Sequence, residues 1–343
     1  MEEKIVLGFT GDIMCDNIDN MIKHEFKDFI SKNVSDCLKS VDYCVGNLET
    51  PIVNDISYNK EKYSFCAPRE FAKKLNEYGF DMFSTANNHC LDRGISGLIE
   101  NCQNLEMLNI DYTGTNKSDG QRVLIKNFDG IKISFISYTY GTNAFLNNYY
   151  LDDSNYYYVN LSRKQEISNK LYRKLKNKFC ENLYIYNSIR DKKYLKRIKK
   201  DLNYAKNNSD FVVFLLHSGG QYNNVVEHYT KKLCDFIKKN GADLIIGNHP
   251  HVVLNKNDNI FYSLGNFYAT PYSNHNQVDD IPNYSIFLKI TLNKKSKKVD
   301  SVKYDVFKTE IKDGYPVTYS VDEIQNEKTR EELNYIINKF NGR

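Results

Sequence analysis

The sequence lacks the features that mark membrane-spanning, secreted and zinc-ribbon proteins. No run of about 18 apolar residues occurs, so no transmembrane helix is predicted. The chain passes from Met1 directly into the apolar run that begins at Ile5, without a signal peptide's apolar stretch and cleavage site. The eight cysteines form no CxxC pair, which argues against a zinc ribbon or a disulfide framework and favours reduced, buried thiols. We therefore expect a cytoplasmic protein without an integral membrane segment.

An excess of charge of one sign is also missing. The 47 Lys and Arg residues against 43 Asp and Glu leave a net charge of +4 over 343 residues, too little to indicate nucleic acid as a partner. With 41% hydrophobic and 26% charged residues, the composition excludes a fibrous or wholly disordered chain. Neither an internal repeat nor a Gly/Ser linker divides the sequence, so residues 1–343 are predicted to form a single domain of undetermined oligomeric state.

What is present is an alternation of short apolar runs and helical patterns, which is typical of an α/β layered fold. The predicted strands are Ile5–Phe9, Tyr43–Gly46, Met82–Ser84, Val123–Ile125, Ile133–Ser137, Phe211–Leu216 and Leu244–Ile246. The predicted helices are Ile18–Ser40, Pro68–Tyr78, Gly97–Leu108, Tyr194–Asn207 and Thr230–Lys239. After Pro250 the pattern favours β structure, at Val252–Leu254, Ile260–Tyr262, Ser285–Leu292 and Val299–Phe307, followed by a polar helix from about Val321 to Phe340.

Two segments differ from this alternation. Residues 145–197 are rich in Tyr, Asn and Lys with weak apolar periodicity, and they read as an insertion. The basic run from Arg190 to Lys200 is either a solvated helix face or a patch for an anionic ligand. The insertion as a whole is either a wall beside the site or a surface excursion, which long loops tolerate well. Residues 284–343 are predicted to form a C-terminal β and helix extension.

Polar residues of metal-ligand types follow five of the predicted strands. In open α/β sheets, ligands bind beyond the carboxyl ends of the strands, so these side chains are expected at one rim. Each has a simpler explanation when taken alone, as a helix cap, a turn former or a core histidine. Together they supply carboxylate, amide and imidazole donors, a mixed set suited to Mn, Fe or Zn. The residues are Asp12, Glu49, Asn88 with His89, His217, and His249 with His251.

The ordered set of segments resembles a known family. The segments are Gly11-Asp12, Asn47-Leu48-Glu49-Thr50-Pro51, Ala86-Asn87-Asn88-His89 with Asp92 and Gly94, His217-Ser218-Gly219, Gly241-Ala242-Asp243 through Gly247-Asn248-His249-Pro250-His251, and Tyr262-Ser263-Leu264-Gly265-Asn266-Phe267. In this order they are similar to the bacterial capsule-synthesis family of CapA and PgsA poly-γ-glutamate proteins, a branch of the calcineurin-like metallophosphoesterase superfamily. The resemblance covers Lys4 to about Phe267. It implies a four-layer α/β/β/α sandwich.

The resemblance further implies a dinuclear metal site at the strand ends. It makes Glu49 the carboxylate that bridges the two ions. Asp12 and His251 would complete the ligands of one ion, and Asn88, His217 and His249 would complete those of the other.

The resemblance makes His89 an acid outside the coordination sphere, with Asp92 placed to orient it. The alternative for His89 is that its segment only closes a turn through side-chain hydrogen bonds. The wider superfamily has a histidine where this chain has Met14 and usually an aspartate where it has Glu49. A thioether is a poor ligand for a hard divalent ion, so either one or two ions are expected.

Substrate contacts are expected from residues on the same rim. Tyr140 and Asn143 follow the strand Ile133–Ser137, where a Gly flanked by hydroxyl and amide groups can present donors to an anion. Asn47 and Asn266 belong to the matching segments and complete the substrate-binding candidates.

The predicted function is that of a metal-dependent hydrolase in a biosynthetic pathway. Hydroxide generated between two ions would attack a phosphoester of an acidic substrate, or an acyl-phosphate or amide, and His89 would protonate the leaving group. The alternatives are a non-catalytic, metal-containing component of polymer synthesis that grips a polyglutamate-like anionic polymer, and an interaction module with a decayed site.

Overall fold

The computed structural model describes residues 3–56, 64–120, 122–165, 191–271 and 281–343. The strands are β1 Lys4–Ile13, β2 Tyr43–Leu48, β3 Met82–Ser84, β4 Asp111–Thr113, β5 Leu124–Phe128, β6 Ile131–Thr139, β7 Phe211–His217, β8 Leu244–Asn248, β9 Lys256–Asn257, β10 Ile260–Phe261, β11 Asn266–Tyr268, β12 Tyr284–Asn293, β13 Lys298–Lys312 and β14 Tyr315–Ser320. The helices are α1 Ile18–Lys23, α2 Lys32–Leu38, α3 Arg69–Tyr78, α4 Gly94–Met107, α5 Ala144–Asn147, α6 Lys192–Asn208, α7 His228–Lys239 and α8 Glu327–Phe340.

These strands form two sheets. The first has eight strands in the order β14-β13-β12-β1-β2-β3-β4, with β11 also paired to β1. Its strands β1 to β4 run parallel, while β12 to β14 are antiparallel. The second has six strands in the order β5-β6-β7-β8-β10-β9, parallel from β6 to β10. The carboxyl ends of the parallel strands therefore supply the loops that carry the candidate site.

The central strands are apolar without alternation because both of their faces are covered. All seven residues of β7, Phe-Val-Val-Phe-Leu-Leu-His, are buried, and so are the six of β2. This is the sequence signature of parallel strands between two layers. It also explains why the apolar runs predicted these strands well.

Three apolar clusters define the layers. One lies between the sheets and joins Leu7 and Val45 of the first sheet to Val213 of the second. A second cluster packs α1 to α4 on the outer face of the first sheet. A third packs α6 and α7 on the outer face of the second. The order helix, sheet, sheet, helix confirms the predicted four-layer α/β/β/α sandwich.

The predicted helix Ile18–Ser40 is wrong in its continuity. The structure has two short helices, α1 and α2, because Glu25, Phe26 and Asp28 take positive φ values near 53° that no helix accommodates. Ile30 then forms a β-bridge with Thr318. Apolar residues at helical spacing on both sides of this break suggested one helix where the chain makes two.

Other boundaries also differ from the predictions. Val252–Leu254 is not a strand, since only Val253 forms an isolated bridge, with Leu264. The short strands β4, β9 and β11 and the edge strand β14 were not predicted. The last helix begins at Glu327, where Asn326 caps it, and Val321–Glu323 forms a separate 3₁₀ turn. Two- and three-residue strands carry too little periodicity to be read from sequence.

The two segments predicted as additions connect to the same layers. Strands β12 to β14 continue the first sheet beside β1, and α8 packs Ile336 and Phe340 into the cluster between the sheets. Of the predicted insertion, residues 166–190 lie outside the described residues, including part of the basic run. Leu161 pairs with Thr139 at the end of β6, so the described part touches the strand ends. Among the described residues, no helix has the length and apolarity needed to cross a membrane.

Candidate metal centre

The strand ends bring the predicted ligands together. Asp12 lies near the end of β1, opposite Asn47 of β2 and Asn266 of β11. The close pairing of β1 with β11 depends on Gly11, because a Cβ at this position would lie 1.8 Å from the carbonyl oxygen of Gly265. Only a residue without a side chain fits there. This approach of two backbones places Asn266 beside Asp12.

Two groups of potential ligand atoms share one carboxylate. Glu49, His217 and His249 form one group, and Asp12, Glu49 and His251 form the other, with the atoms of each group within 4.8 Å of one another. All five side chains are buried. A buried cluster of this composition could hold a metal ion, since carboxylate and imidazole donors suit divalent transition metals.

Glu49 has no partner that explains its burial. Its side chain is 0% exposed, and neither carboxylate oxygen has a hydrogen-bond partner among the described residues. Burial and the neighbouring charge of Asp12 raise the pKa of the Glu49 carboxyl well above its ordinary value. A buried carboxylate without hydrogen bonds is strongly unfavourable unless a cation or a proton compensates it. The orphaned oxygens therefore fit a metal ion.

His251 turns one ring nitrogen towards supporting groups and the other towards Glu49. Its Nδ1 lies 3.0 Å from Oδ1 of Asn266 and 3.2 Å from Oδ2 of Asp12. Its Nε2 lies 3.9 Å from Oε1 of Glu49. Gln221 approaches the same nitrogen, with its amide nitrogen 3.5 Å away. Both ring nitrogens of His251 therefore lie beside potential ligands, Nδ1 beside Asp12 and Nε2 beside Glu49.

The other two imidazoles are kept in the form that binds metals. Burial, and then the neighbouring imidazoles, lower the pKa of His217 and of His249 well below the ordinary value, so both rings are neutral at pH 7. Nε2 of His217 lies 2.7 Å from Oδ1 of Asn88 and 3.7 Å from Oε1 of Glu49. Nδ1 of His249 is buried and has no hydrogen-bond partner in the part of the chain that the structure describes.

The backbone beside these ligands is strained. His249 has a φ of 101° and His251 a φ of 60°, in the left-handed region that residues with a side chain rarely adopt. Strain of this kind persists only where the surroundings enforce it, and it concentrates at functional sites. Here it lets two histidines one residue apart direct their rings into the same cluster.

Asn47 and Asn266, predicted to bind substrate, are bonded to the potential ligands. The Asn47 amide donates to Oδ1 of Asp12 at 2.8 Å and lies 3.3 Å from Nδ1 of His217. Ser84 in turn donates to Oδ1 of Asn47 at 2.9 Å. Asn266 accepts from His251 and donates to the carbonyl of Pro282. Groups in such positions orient metal ligands.

His89 and Asp92 form a buried pair at the edge of the cluster. Nδ1 of His89 lies 2.6 Å from Oδ2 of Asp92, and the opposite nitrogen, Nε2, lies 3.9 Å from Oε1 of Glu49. The same Asp92 oxygen accepts the backbone N–H of Phe65 at 2.7 Å. The imidazole is therefore held from outside while its Nε2 faces the potential ligands.

The two remaining substrate-binding candidates lie on the rim beside these groups. The Asn143 backbone donates to the carbonyl of Asn88 at 2.8 Å. Tyr140 donates its backbone N–H to the backbone carbonyl of His217, and its ring lies 5.3 Å from that of His249. The guanidinium of Arg163, from the segment predicted as an insertion, lies over the Tyr140 ring at 5.2 Å.

Sequence reasoning missed three residues of this site: Phe65, Arg163 and Gln221. They lie in loops, and no motif spacing connects them with the residues they approach, which are His89, Tyr140 and His251 respectively. Met14 was singled out as a departure from the superfamily. The structure places its buried side chain in a small apolar cluster with Phe65 and Ala269.

Comparison with known proteins agrees with the resemblance read from the motifs. The family model described as bacterial capsule synthesis protein PGA_cap matches residues 6–271. The capsule biosynthesis protein CapA of Bacillus anthracis is 28% identical over 276 residues, which cover 77% of this chain and 60% of the relative. The PGA biosynthesis protein CapA of Bacillus subtilis (strain 168) is 24% identical over 279 residues, covering 78% and 63%.

The match spans about three fifths of the length of those two relatives. A solved structure described as a novel phosphatase from Mycoplasma pneumoniae covers 89% of this chain and 94% of its own, with 13% identity and a TM-score of 0.47. A likeness at that TM-score does not establish a shared fold. The family match covers most of the chain and includes every predicted ligand, so this protein belongs to the bacterial capsule synthesis family PGA_cap.

Proposed function

We propose that this protein is a metal-dependent hydrolase that cleaves a phosphoester of an acidic substrate. The observation that carries the proposal is the Glu49 carboxylate, which is buried, lacks hydrogen bonds to both oxygens and belongs to both groups of potential ligands. A buried carboxylate in that position needs a cation or a proton to compensate it, and two ions that shared it would supply that compensation.

The ligand assignment follows the two groups. Asp12 and His251 would hold one ion with Glu49, and His217 and His249 would hold the second with it. Asn88 joins the second set, because its amide oxygen lies 2.7 Å from the His217 ring nitrogen that faces Glu49. Mn, Fe or Zn fits this mixture of oxygen and nitrogen donors. The first set is the poorer one, since it offers three side chains against four in the second and has Met14 where the superfamily has a histidine.

The metal would supply Lewis-acid chemistry, activating water and neutralising charge on the phosphoryl oxygens. His89 donates a proton from Nε2 to the leaving oxygen, and this nitrogen faces the cluster at 3.9 Å from Glu49. Asp92 holds the opposite ring nitrogen and thereby fixes the direction of the transfer. Proton donation of this kind contributes roughly 10²–10⁴-fold to a rate.

The scissile bond could instead belong to an acyl-phosphate or an amide. Both are attacked at an electrophilic centre by activated water, and both need the same proton donor. The names of the two CapA relatives place those proteins in capsule and PGA biosynthesis, which favours an acidic substrate from such a pathway.

The same names also favour a second candidate function. In that proposal the protein is a non-catalytic, metal-containing component of polymer synthesis that grips an anionic, polyglutamate-like polymer. The His89–Asp92 pair supports hydrolysis as the first candidate, because Asp92 orients the ring so that Nε2 faces the cluster, as proton donation to a leaving group requires.

The test combines metal content and turnover. Elemental analysis of the purified protein should find Mn, Fe or Zn, and a generic aryl phosphate should be hydrolysed in a chelator-sensitive way. Glu49→Gln should lose metal and turnover together, while Glu106→Gln, a surface control paired with Lys117, should lose neither. Metal without turnover of any phosphoester would favour the polymer-gripping function, and protein that binds no metal would refute both.

A further inference from the structure

His89 is enclosed on both faces of its ring. The Phe65 ring stacks on one face, with centroids 4.1 Å apart and an interplanar angle of 17°. The side-chain amide nitrogen of Asn143 lies 3.4 Å from both Nδ1 and Nε2. Those nitrogens flank Cε1, so a group equally close to both would collide with Cε1 in the ring plane and must lie over the ring. Phe65 occupies one face, so the amide covers the other.

Both enclosing residues are themselves held in place. The Phe65 backbone N–H donates to Asp92, the carboxylate that also binds His89. Asn143 donates its backbone N–H to Asn88, and its side-chain oxygen accepts from the Asn88 amide. The imidazole is therefore fixed by its edge through Asp92 and by its two faces through Phe65 and Asn143.

Met14 contributes to the surroundings of the Phe65 ring. Its buried thioether side chain packs with Phe65 and Ala269 in a cluster separate from the main cores. Methionine fills irregular apolar space and makes favourable contacts with aromatic rings. The residue that departs from the superfamily ligand pattern thus packs in the same cluster as the ring that stacks on His89.

We propose that Phe65, with Met14 in the same apolar cluster and Asn143 on the opposite face of the imidazole, is a positioning residue that holds the His89 ring in a single orientation. The inference rests on the proposed function for its kinetic consequence, but the stack itself is independent of turnover. In a buried site, a proton donor displaced by about 1 Å can lose roughly 10²-fold in rate.

The structural arm of the test is nuclear magnetic resonance of zinc-loaded protein with ¹³Cε1-labelled histidine. Phe65→Leu should move the His89 Cε1–H signal downfield, because the shielding face of the aromatic ring is lost. The matched control is Tyr315→Leu, which removes a second ring stacked on a histidine, His24, at 4.0 Å. That variant should move the His24 signal alone. An unmoved His89 signal in folded Phe65→Leu would overturn the proposal.

The kinetic arm uses the same variants. Phe65→Leu should lower kcat by roughly 10-fold or more with KM and metal content unchanged, since only the proton donor is disturbed. Phe65→Tyr should restore kcat, and Met14→Leu should keep it while Met14→Ala lowers it. A rise in KM, or loss of metal, would assign Phe65 to substrate or metal binding and refute the positioning role.

The two arms separate this inference from the proposed function. If the wild-type protein hydrolyses nothing, the proposed function fails, while the resonance measurement still decides whether Phe65 stacks on His89. If hydrolysis occurs and Phe65→Leu keeps the wild-type kcat, the inference alone fails. Thermal unfolding of each variant checks that it is folded before either measurement.

Discussion

Asp92 holds Nδ1 of His89 at 2.6 Å, which turns Nε2 of the same ring towards Glu49 at 3.9 Å. The pair therefore touches the potential metal ligands without belonging to either ligand group. This separation of proton donor from ligands gives the two kinds of residue different mutational signatures.

We expect His89→Ala and Asp92→Asn to retain metal and to lose turnover by roughly 10²–10⁴-fold, the range of general acid catalysis. Glu49→Ala should instead lose metal and turnover together. Elemental analysis and initial rates on the same preparations separate the two outcomes. Equal metal loss in His89→Ala and Glu49→Ala would make His89 a ligand.

The raised pKa of Glu49 predicts a pH-dependent stability of the metal-free protein. The folded state binds the Glu49 proton more tightly than the unfolded chain, whose carboxyl has the ordinary pKa of 4.5. The contribution of Glu49 to the free energy of unfolding should therefore be fully present below pH 4.5. It should be lost as the pH rises towards the folded pKa. Metal binding must then release this proton.

Glu49→Gln removes the titrating group and should raise the melting temperature of the metal-free protein at pH 7. Added zinc or manganese should raise the melting temperature of the wild type only, because the variant has lost the shared ligand. Thermal unfolding in chelator across pH 5–8 measures both effects. If metal-free Glu49→Gln melts at a lower temperature than the metal-free wild type at pH 7, the charge of Glu49 does not destabilise the fold.

The parts of this site that sequence could predict are those carried by buried parallel strands. An uninterrupted apolar run such as β7 has to lie between two layers, so the polar residue at its end, His217, has to reach the rim. The same reasoning placed Asp12 and His249. At these residues the apolar pattern of the strand and its place between two layers predict the same position at the rim.

The parts that sequence could not predict depend on contacts between distant segments. Phe65 lies in a loop with no periodicity and stacks on His89. Arg163 lies over the Tyr140 ring, next to the β-bridge between Leu161 and Thr139 that joins the two segments. The roles of Asn47 and Asn266 depend on register, which places both opposite Asp12. An amide at a strand end has the same sequence signal whether it faces a substrate or a ligand.

Asn266 tests that distinction. Its contact with Nδ1 of His251 predicts that Asn266→Ala lowers metal affinity by about 10–100-fold, as loss of an outer-shell partner does. One ion should weaken more than the other, since His217 and His249 do not depend on this amide. Titration calorimetry with zinc measures the affinity of each ion. An increased KM at unchanged metal affinity would instead assign Asn266 to the substrate.

Gly11 tests the close pairing of β1 and β11. A Cβ at Gly11 would lie 1.8 Å from a backbone oxygen that cannot move without displacing β11. Gly11→Ala should destabilise the protein by about 1–3 kcal/mol or more, the range for overpacking, and weaken metal binding by shifting Asp12 and Asn266 apart. Gly120→Ala is the matched control, since nothing lies within 4 Å of its Cβ position. Equal free energies of unfolding of the two variants in denaturant would disprove the steric constraint at Gly11.

Arg163 tests whether the segment predicted as an insertion takes part in recognition. Its guanidinium lies over Tyr140, whose ring in turn lies 5.3 Å from the potential ligand His249. A positive charge so placed can meet an acidic group of the substrate, and a hydrogen bond to a charged group contributes about 1.5–3 kcal/mol. Arg163→Gln should therefore raise KM by roughly 10-fold or more at unchanged metal content.

The control for Arg163 is Lys193→Gln, which removes a cation held over another tyrosine, Tyr156, at 3.8 Å. It belongs to α6 and should leave KM unchanged. Raising the salt concentration should narrow the difference between wild type and Arg163→Gln, because a partly exposed ion pair is screened. If Arg163→Gln keeps the wild-type KM on an acidic phosphoester, this arginine has no part in recognition. The anionic group of the substrate must then be met elsewhere on the rim, by the bound metal or by the amides around Asn143.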